Sequence, residues 1–284
     1  MICKRINLWD GMDCYDQVEG TIYPYLDLYT LSNTPEVEVD KKRPGLLVCP
    51  GGGYCMTSDR EAEPVAAKFL AEGYVVGIVR YSCAPARHPQ QLFDTSRAMW
   101  LMRENAEELQ LDTDHIGVIG FSAGGHAAAA LGVFWNEDYI SESIGMPKGL
   151  NKPNALLLGY PVITSGDKAH RGSFDALLGD DRKDDPEWLE KMSLEKQVSQ
   201  DTPHTFMWHT MADDCVPVEN SLLFSTALAA EKIPFELHVY PTGWHGLSVC
   251  SEEVGTPFRY NADWVTSAIK WLNKEFDHEQ KSVD

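Results

Sequence analysis

Ser122 stands in the run Gly120-Phe121-Ser122-Ala123-Gly124, with the apolar stretch HIGVI before it and the alanine-rich stretch GHAAAALGVF after it. A serine hydroxyl is a weak nucleophile until it is exposed, held in one place and relieved of its proton by a neighbouring base. Flanking glycines let a strand turn sharply into a helix and push Ser122 outward on a strained backbone. The helix start behind it offers N–H groups to a developing oxyanion. A glycine turn that merely packs a helix on a sheet has the same spelling, but the β-like run before it and the helical run after it favour the nucleophile.

A nucleophile of this kind needs a base and a group that orients the base. His245 lies in Pro241-Thr242-Gly243-Trp244-His245-Gly246, and an imidazole suits taking and returning a proton near neutral pH. Between the two, Met211-Ala212-Asp213-Asp214-Cys215-Val216-Pro217 supplies adjacent carboxylates. Asp213, four residues before Pro217, is read as the acid that receives the far imidazole nitrogen, and Asp214 as a loop or helix-capping residue. Pro50-Gly51-Gly52-Gly53-Tyr54 follows an early apolar run, where unhindered backbone N–H groups can complete an oxyanion hole. Gly52, Gly53 and Ala123 are the expected donors. A phosphate cradle is the rival reading of those glycines, but neither Gly-Lys-Ser/Thr nor GxGxxG spacing is present. Tyr54 and Trp244, beside the glycine loop and the base, are expected to touch substrate. The remaining histidines lack the glycine flanks of His245, with His126 and His209 nearest the motifs. No HExxH or comparable spacing suggests a metal, and the chemistry requires no cofactor.

Positioning these residues calls for strands alternating with helices. Strands are expected at Ile22 to Tyr29, Leu46 to Cys49, Val75 to Tyr81, Ile116 to Gly120, Ala155 to Tyr160, Thr205 to His209 and Phe235 to Tyr240. Several are near-continuous apolar runs, as strands buried on both faces should be. Helices are expected at Glu61 to Glu72, Gln91 to Leu109, Ala123 to Phe134, Val218 to Lys232 and Tyr260 to Phe276. Ser58, three residues before Glu61, has capping-box spacing and is read as an N-cap, with Pro64 in the opening turn. The fold class is therefore α/β, a mostly parallel sheet with helices on both faces. The Asp-rich stretch Gly179 to Glu187 reads as an insertion, and residues 1–284 as one domain.

Composition narrows the partners. With 24 Lys and Arg against 43 Asp and Glu, the net charge of -19 opposes nucleic acid and anionic lipid. No run approaches the roughly 18 apolar residues of a membrane span, and the N-terminal MICKRINLWDGMDCYD lacks the apolar core of a secretory signal. A cytoplasmic protein is expected. The 7 cysteines form no CxxC pair and are read as reduced, small, buried apolar residues.

The set CPGGGY at 49–54, RYSCAP at 80–85, the His88-Pro89 pair with Leu92 and Asp94, GFSAGGH at 120–126, GYPV at 159–162, WHTMADDCVPVEN at 208–220 and GWHG at 243–246 resembles bacterial acetyl esterases, including acetyl-xylan esterases, of the α/β-hydrolase superfamily. The resemblance runs from about residue 20 to about residue 276. It implies an α/β-hydrolase domain that removes short acyl groups, above all acetyl from xylo-oligosaccharides or related sugars, through an acyl-enzyme on Ser122. Ser122, Asp213 and His245 fall on that family's triad, and Gly52, Gly53 and Ala123 on its oxyanion positions. Related esterases often carry histidine before the glycine run where Pro50 stands here, so the loop must find its support elsewhere. The partner implied is a small-molecule or oligosaccharide ester; assembly into a homo-oligomer stays open. Two other readings share the fold, a serine peptidase of the prolyl-peptidase type and a non-catalytic binding protein. The first lacks its accompanying propeller, and the second would lack a triad member.

Overall fold

Strands apolar on both faces have to be covered on both faces, and the layers of the molecule follow from that requirement. The computed structural model describes residues 1–278. Its strands are β1 (Ile2–Asn7), β2 (Tyr25–Thr30), β3 (Arg43–Cys49), β4 (Val75–Arg80), β5 (Leu111–Phe121), β6 (Ala155–Gly159), β7 (Thr205–Thr210) and β8 (Phe235–Tyr240). They form one sheet in the order β1-β2-β4-β3-β5-β6-β7-β8. β2 pairs antiparallel with both β1 and β4, and every other neighbouring pair is parallel. Side chains alternate between two cores, as a strand's period of two demands. Leu47 and Cys49 of β3 enter one core and Leu46 and Val48 the other; in β7, Met207 opposes Phe206 and Trp208.

The helices are α1 (Glu63–Ala71), α2 (Gln90–Glu104), α3 (Ala106–Leu109), α4 (Ala123–Phe134), α5 (Asp138–Ile144), α6 (Arg171–Leu178), α7 (Pro186–Met192), α8 (Glu219–Ala230) and α9 (Asp263–Glu275). α1 and α9 cover one face of the sheet through Val65, Phe69, Trp264 and Leu272. The others cover the opposite face, with Met102, Leu131, Phe174 and Phe224 in that core. Trp208 of β7 stacks on Trp264 of α9 at 4.9 Å and 13°. Such a pair contributes about 0.5–1.5 kcal/mol beyond the area it buries.

The expected strands all form, but the antiparallel edge differs. β2 starts at Tyr25 rather than Ile22, because Pro24 has no N–H for the ladder and Ile22 is exposed. β1 was not anticipated: its half-buried and exposed residues alternate, and only one side of it is paired. The run expected as one helix from Gln91 to Leu109 is broken at Asn105, the C-cap of α2 and N-cap of α3. The Glu61 to Glu72 helix begins instead at Glu63, after a 3-10 turn at Asp59–Glu61, with Pro64 in its opening turn. Ser58 makes no side-chain cap bond. A capping box needs the Glu61 carboxylate to reach back to Ser58, and that carboxylate is turned inward to other donors. α5, α6 and α7 are short helices not foreseen from the sequence, and the Gly179 to Glu187 stretch comprises the turn between the last two and the first two residues of α7. Of the cysteines only Cys49, Cys83 and Cys250 are buried; Cys3, Cys14, Cys55 and Cys215 are exposed and free. No helix among the described residues is long and apolar enough to cross a membrane.

Parallel strands bring all their carboxyl ends to one edge, where α/β sheets bind ligands. Pro50 follows β3, Ser122 follows β5, Tyr160 follows β6, Asp213 lies just past β7 and His245 just past β8.

Candidate active site

Ser122 occupies the turn between β5 and α4 with φ 55 and ψ -123, a conformation that strains any residue with a Cβ. Its N–H donates to the Gly159 carbonyl and its own carbonyl accepts from His126 and Val162, so both neighbouring elements hold the turn. Close approach also requires Gly124, since a Cβ there would lie 2.2 Å from the Cys49 carbonyl oxygen and 2.4 Å from that of Pro50. The start of α4 thereby sits directly against the glycine loop.

One hydrogen-bonded line joins the three residues singled out from the sequence. Ser122 donates its hydroxyl to His245 Nε2 at 2.8 Å, and His245 Nδ1–H donates to Asp213 Oδ2 at 2.7 Å. The Asp213 side chain is fully buried, whereas that of His245 is 19% exposed. Asp213 Oδ1 accepts the N–H groups of Cys215 at 3.0 Å and Val216 at 2.9 Å. His209 adds a second imidazole to the same acid. Its Nε2 faces the Val216 carbonyl at 2.9 Å, so it carries the proton, and lies 3.4 Å from Asp213 Oδ2. Burial raises the Asp213 carboxyl, but hydrogen bonds from His209, His245 and Val216 outweigh burial and hold it well below the usual carboxylate range. Asp213 is therefore held as the anion. Asp214, by contrast, is exposed and caps no helix, α8 being preceded by Val218.

The loops carrying Asp213 and His245 are tied together. Met211 N–H donates to the Tyr240 carbonyl at 2.7 Å, and the Thr210 hydroxyl donates to Gly243 at 2.9 Å. On the other side of Ser122, Gly52 adopts φ 127, where a Cβ would strike the Met56 carbonyl oxygen at 2.3 Å. Gly52 and Gly53 line a pocket of about 300 Å³ together with Met56, Ser122, His170 and His245. Among the described residues no protein acceptor takes the N–H of Gly52 or Gly53, and the N–H of Ala123, first in its helix, has no intrahelical partner. Donors of this kind beside a nucleophile can receive the charge that develops on a carbonyl oxygen.

Two expected substrate contacts part company here. Tyr54 does not face the pocket: it is 2% exposed, packed between Tyr81 and His126, and its hydroxyl donates to His126 Nδ1 at 2.8 Å. Tyr54 itself sits at positive φ (60). Trp244 is 51% exposed and stands edge-on to Phe258 at 4.5 Å, next to His245 in the chain. His126 donates from Nε2 to the Met192 carbonyl at 3.0 Å, and burial lowers it to about 4, so it is a neutral packing histidine. Replacing Tyr54 with Phe leaves Nδ1 of His126 buried without a donor, which costs about 1–3 kcal/mol. The expected result is a lower Tm with KM within about twofold of the wild type; a large rise in KM would return Tyr54 to the substrate.

Residues beyond those read from the sequence also shape the site. Glu61 accepts the Gly51 N–H at 2.8 Å and the Tyr160 hydroxyl at 2.6 Å, while the Tyr81 hydroxyl donates to the Pro50 carbonyl. This is where the loop finds support in the absence of a preceding histidine. Capping-box spacing had assigned Glu61 a different task, and nothing in its neighbourhood along the chain points to Tyr160. His170 enters the pocket wall from the start of α6, with Nδ1 bonded to Ser173 at 2.8 Å; burial and the nearby His245 lower it. Among the described residues no cluster of three or more His, Cys, Asp or Glu is placed to hold a metal ion.

Residues 26–228 match the family model described as BD-FAE. The chain is similar to endo-1,4-beta-xylanase B of Butyrivibrio fibrisolvens, 37% identical over 259 residues that make up 88% of this chain and 38% of that protein. It is similar also to the acetylxylan esterase of Xylanibacter ruminicola, 26% identical over 78% of this chain and 44% of that protein. The chain thus spans about two-fifths of the length of these curated relatives. Among solved structures, the acetyl ester-xyloside bifunctional hydrolase from Caldicellulosiruptor lactoaceticus superposes with a TM-score of 0.82 at 36% identity, over 95% of this chain and 96% of that one.

Proposed function

This chain belongs to the BD-FAE family and has the α/β-hydrolase fold, and from that premise we propose that it is a serine carboxylic-ester hydrolase whose acyl-enzyme forms on Ser122. The observation that carries the reading is the hydrogen-bonded line from Asp213 through His245 to Ser122 at a small pocket bordered by backbone donors. His245 takes the Ser122 proton as the oxygen attacks the ester carbonyl. The oxyanion is held by the N–H groups of Gly52, Gly53 and Ala123. His245 returns the proton to the departing alcohol, and a water that it deprotonates then releases the acid. Asp213 keeps the imidazole in the tautomer with Nδ1 protonated and stabilises the imidazolium. The whole chain is read as one esterase domain.

Acetyl groups on xylo-oligosaccharides or related sugars are the substrate we favour. A pocket of about 300 Å³ lies at the small end for ligand sites, which suits a short acyl chain. The names of the relatives, an acetylxylan esterase, a xylanase and an acetyl ester-xyloside hydrolase, point to the same class of sugar. Trp244, exposed and next to His245 in the chain, is the residue we assign to stacking on a sugar ring. Acetate release from acetylated xylo-oligosaccharides, other acetylated sugars and longer-chain aryl esters tests reaction and substrate together. Acetylated xylo-oligosaccharides should give the highest kcat/KM; preference for long acyl chains or for peptide anilides would overturn this choice.

A further inference from the structure

Behind the glycine loop lies a carboxylate that the chemistry above does not use. Glu61 is 3% exposed and both its oxygens are engaged, Oε2 by the Gly51 N–H and Oε1 by the Tyr160 hydroxyl. The Tyr160 oxygen in turn accepts the Ser248 N–H at 2.9 Å, and its ring stands edge-on to the His245 imidazole at 5.0 Å. The Ser248 hydroxyl closes the circuit by donating to the carbonyl of Arg60, the residue before Glu61. Gly51 is pressed between this carboxylate and the nucleophile. A Cβ at Gly51 would lie 2.7 Å from Glu61 Oε2 and 2.9 Å from Ser122 Cβ. One buried side chain therefore links the loop after β3, the residue after β6 and the histidine loop after β8.

Filling that space with an apolar side chain would avoid the desolvation of a carboxylate, so packing alone does not account for Glu61. Burial raises its carboxyl, opposed by the bonds from Tyr160 and Gly51. Of the groups that satisfy it, the Gly51 N–H belongs to the glycine loop, and the Tyr160 hydroxyl accepts in turn from Ser248 of the histidine loop; the relative placement of those two loops sets how well an oxyanion and an imidazolium are met.

We propose that Glu61 is a positioning residue for the ester hydrolysis, fixing through Gly51 the backbone that presents Gly52 and Gly53, and through Tyr160 the loop that carries His245. The proposal rests on the esterase reading above. Glutamine at position 61 keeps the size but replaces one acceptor by an NH₂ group, so one of the two links must break or reverse. Tyr160→Phe keeps the ring and cuts the connection to Ser248.

The test measures kcat and KM with p-nitrophenyl acetate, the rate at which Ser122 is phosphonylated by a fluorophosphonate probe, and Tm. These are compared for wild type, Glu61→Gln, Tyr160→Phe and the double variant. Glu61→Gln should lower kcat and the labelling rate by about 10²-fold, as loss of an oxyanion donor does, with KM within about threefold. Tyr160→Phe should lower both rates by about tenfold through misplacement alone. The double variant should be no more than about threefold slower than Glu61→Gln, since both substitutions cut one linked unit. Unchanged rates in a folded Glu61→Gln protein, multiplicative losses in the double variant, or a loss confined to KM would each overturn the proposal. If Glu61→Gln does not fold, an undiminished rate in Tyr160→Phe overturns it equally. The probe reports on Ser122 whatever the ester: a wild type that labels rapidly yet leaves acetyl esters intact sinks the esterase reading, while the labelling rates still decide the role of Glu61.

Discussion

Ser122→Ala is expected to lower kcat for p-nitrophenyl acetate by about 10⁴- to 10⁶-fold, the range lost when a nucleophile is removed from a hydrogen-bonded triad. Tm should move by no more than a few degrees. Among the described residues the hydroxyl makes its hydrogen bond only to His245, and the backbone bonds of the turn to Gly159, His126 and Val162 do not involve it. Alanine keeps the Cβ and with it the strain of the turn, so the folded state is altered little. Ser58 also lines the pocket. If Ser122→Ala retained activity within about tenfold of the wild type, far above what loss of a nucleophile allows, Ser58 would have to be examined as the attacking group.

Asp213→Asn and Asp214→Asn should differ by orders of magnitude although the residues are neighbours. An amide at 213 has one acceptor oxygen where the carboxylate has two, and those two now serve His245 on one side and the N–H groups of Cys215 and Val216 on the other. Keeping the backbone bonds turns the NH₂ toward His245 Nδ1, which must then accept, so the proton moves to Nε2 and faces Ser122. A nucleophile that meets an N–H has no base. The expected loss in kcat is about 10⁴-fold at neutral pH. Asp214→Asn alters one exposed side chain and should leave kcat within about twofold, as surface changes without buried partners do. Steady-state kinetics on the two variants checks this, and comparable losses would mean that the acid's position is shared.

The parts of this molecule legible from sequence are those where one stretch of chain contains its own reason. β3 to β7 could be read from apolar runs buried on both faces, and the turn at Ser122 because strand, glycines and helix are contiguous. Asp213 could be separated from Asp214 only by its spacing to Pro217, yet the structure distinguishes them by burial and by His209, a partner four residues earlier whose direction the sequence does not reveal. Tyr54 misled because adjacency to the glycine loop says nothing about which way a side chain at positive φ points. β1 escaped notice because its residues, Ile-Cys-Lys-Arg-Ile-Asn, contain no apolar run. Glu61 was hidden for a deeper reason: its partners Gly51, Tyr160 and, through Tyr160, Ser248 lie 10, 99 and 187 positions away, and only the closed sheet brings them to one carboxylate.

The backbone at Ser122 sets conservation of function against conservation of fold. At φ 55 and ψ -123 glycine would be the comfortable occupant, and holding a residue with a Cβ there costs about 1–3 kcal/mol. Glycine forfeits only about 0.5–1 kcal/mol in chain entropy. Random drift filtered for durability alone would therefore tend to erase the serine, and a lineage that lost the need for the reaction could gain robustness by doing so. If Ser122 is the nucleophile proposed above, a serine at this turn is a mark of use, and the first place to look for decay in descendants that have abandoned the substrate.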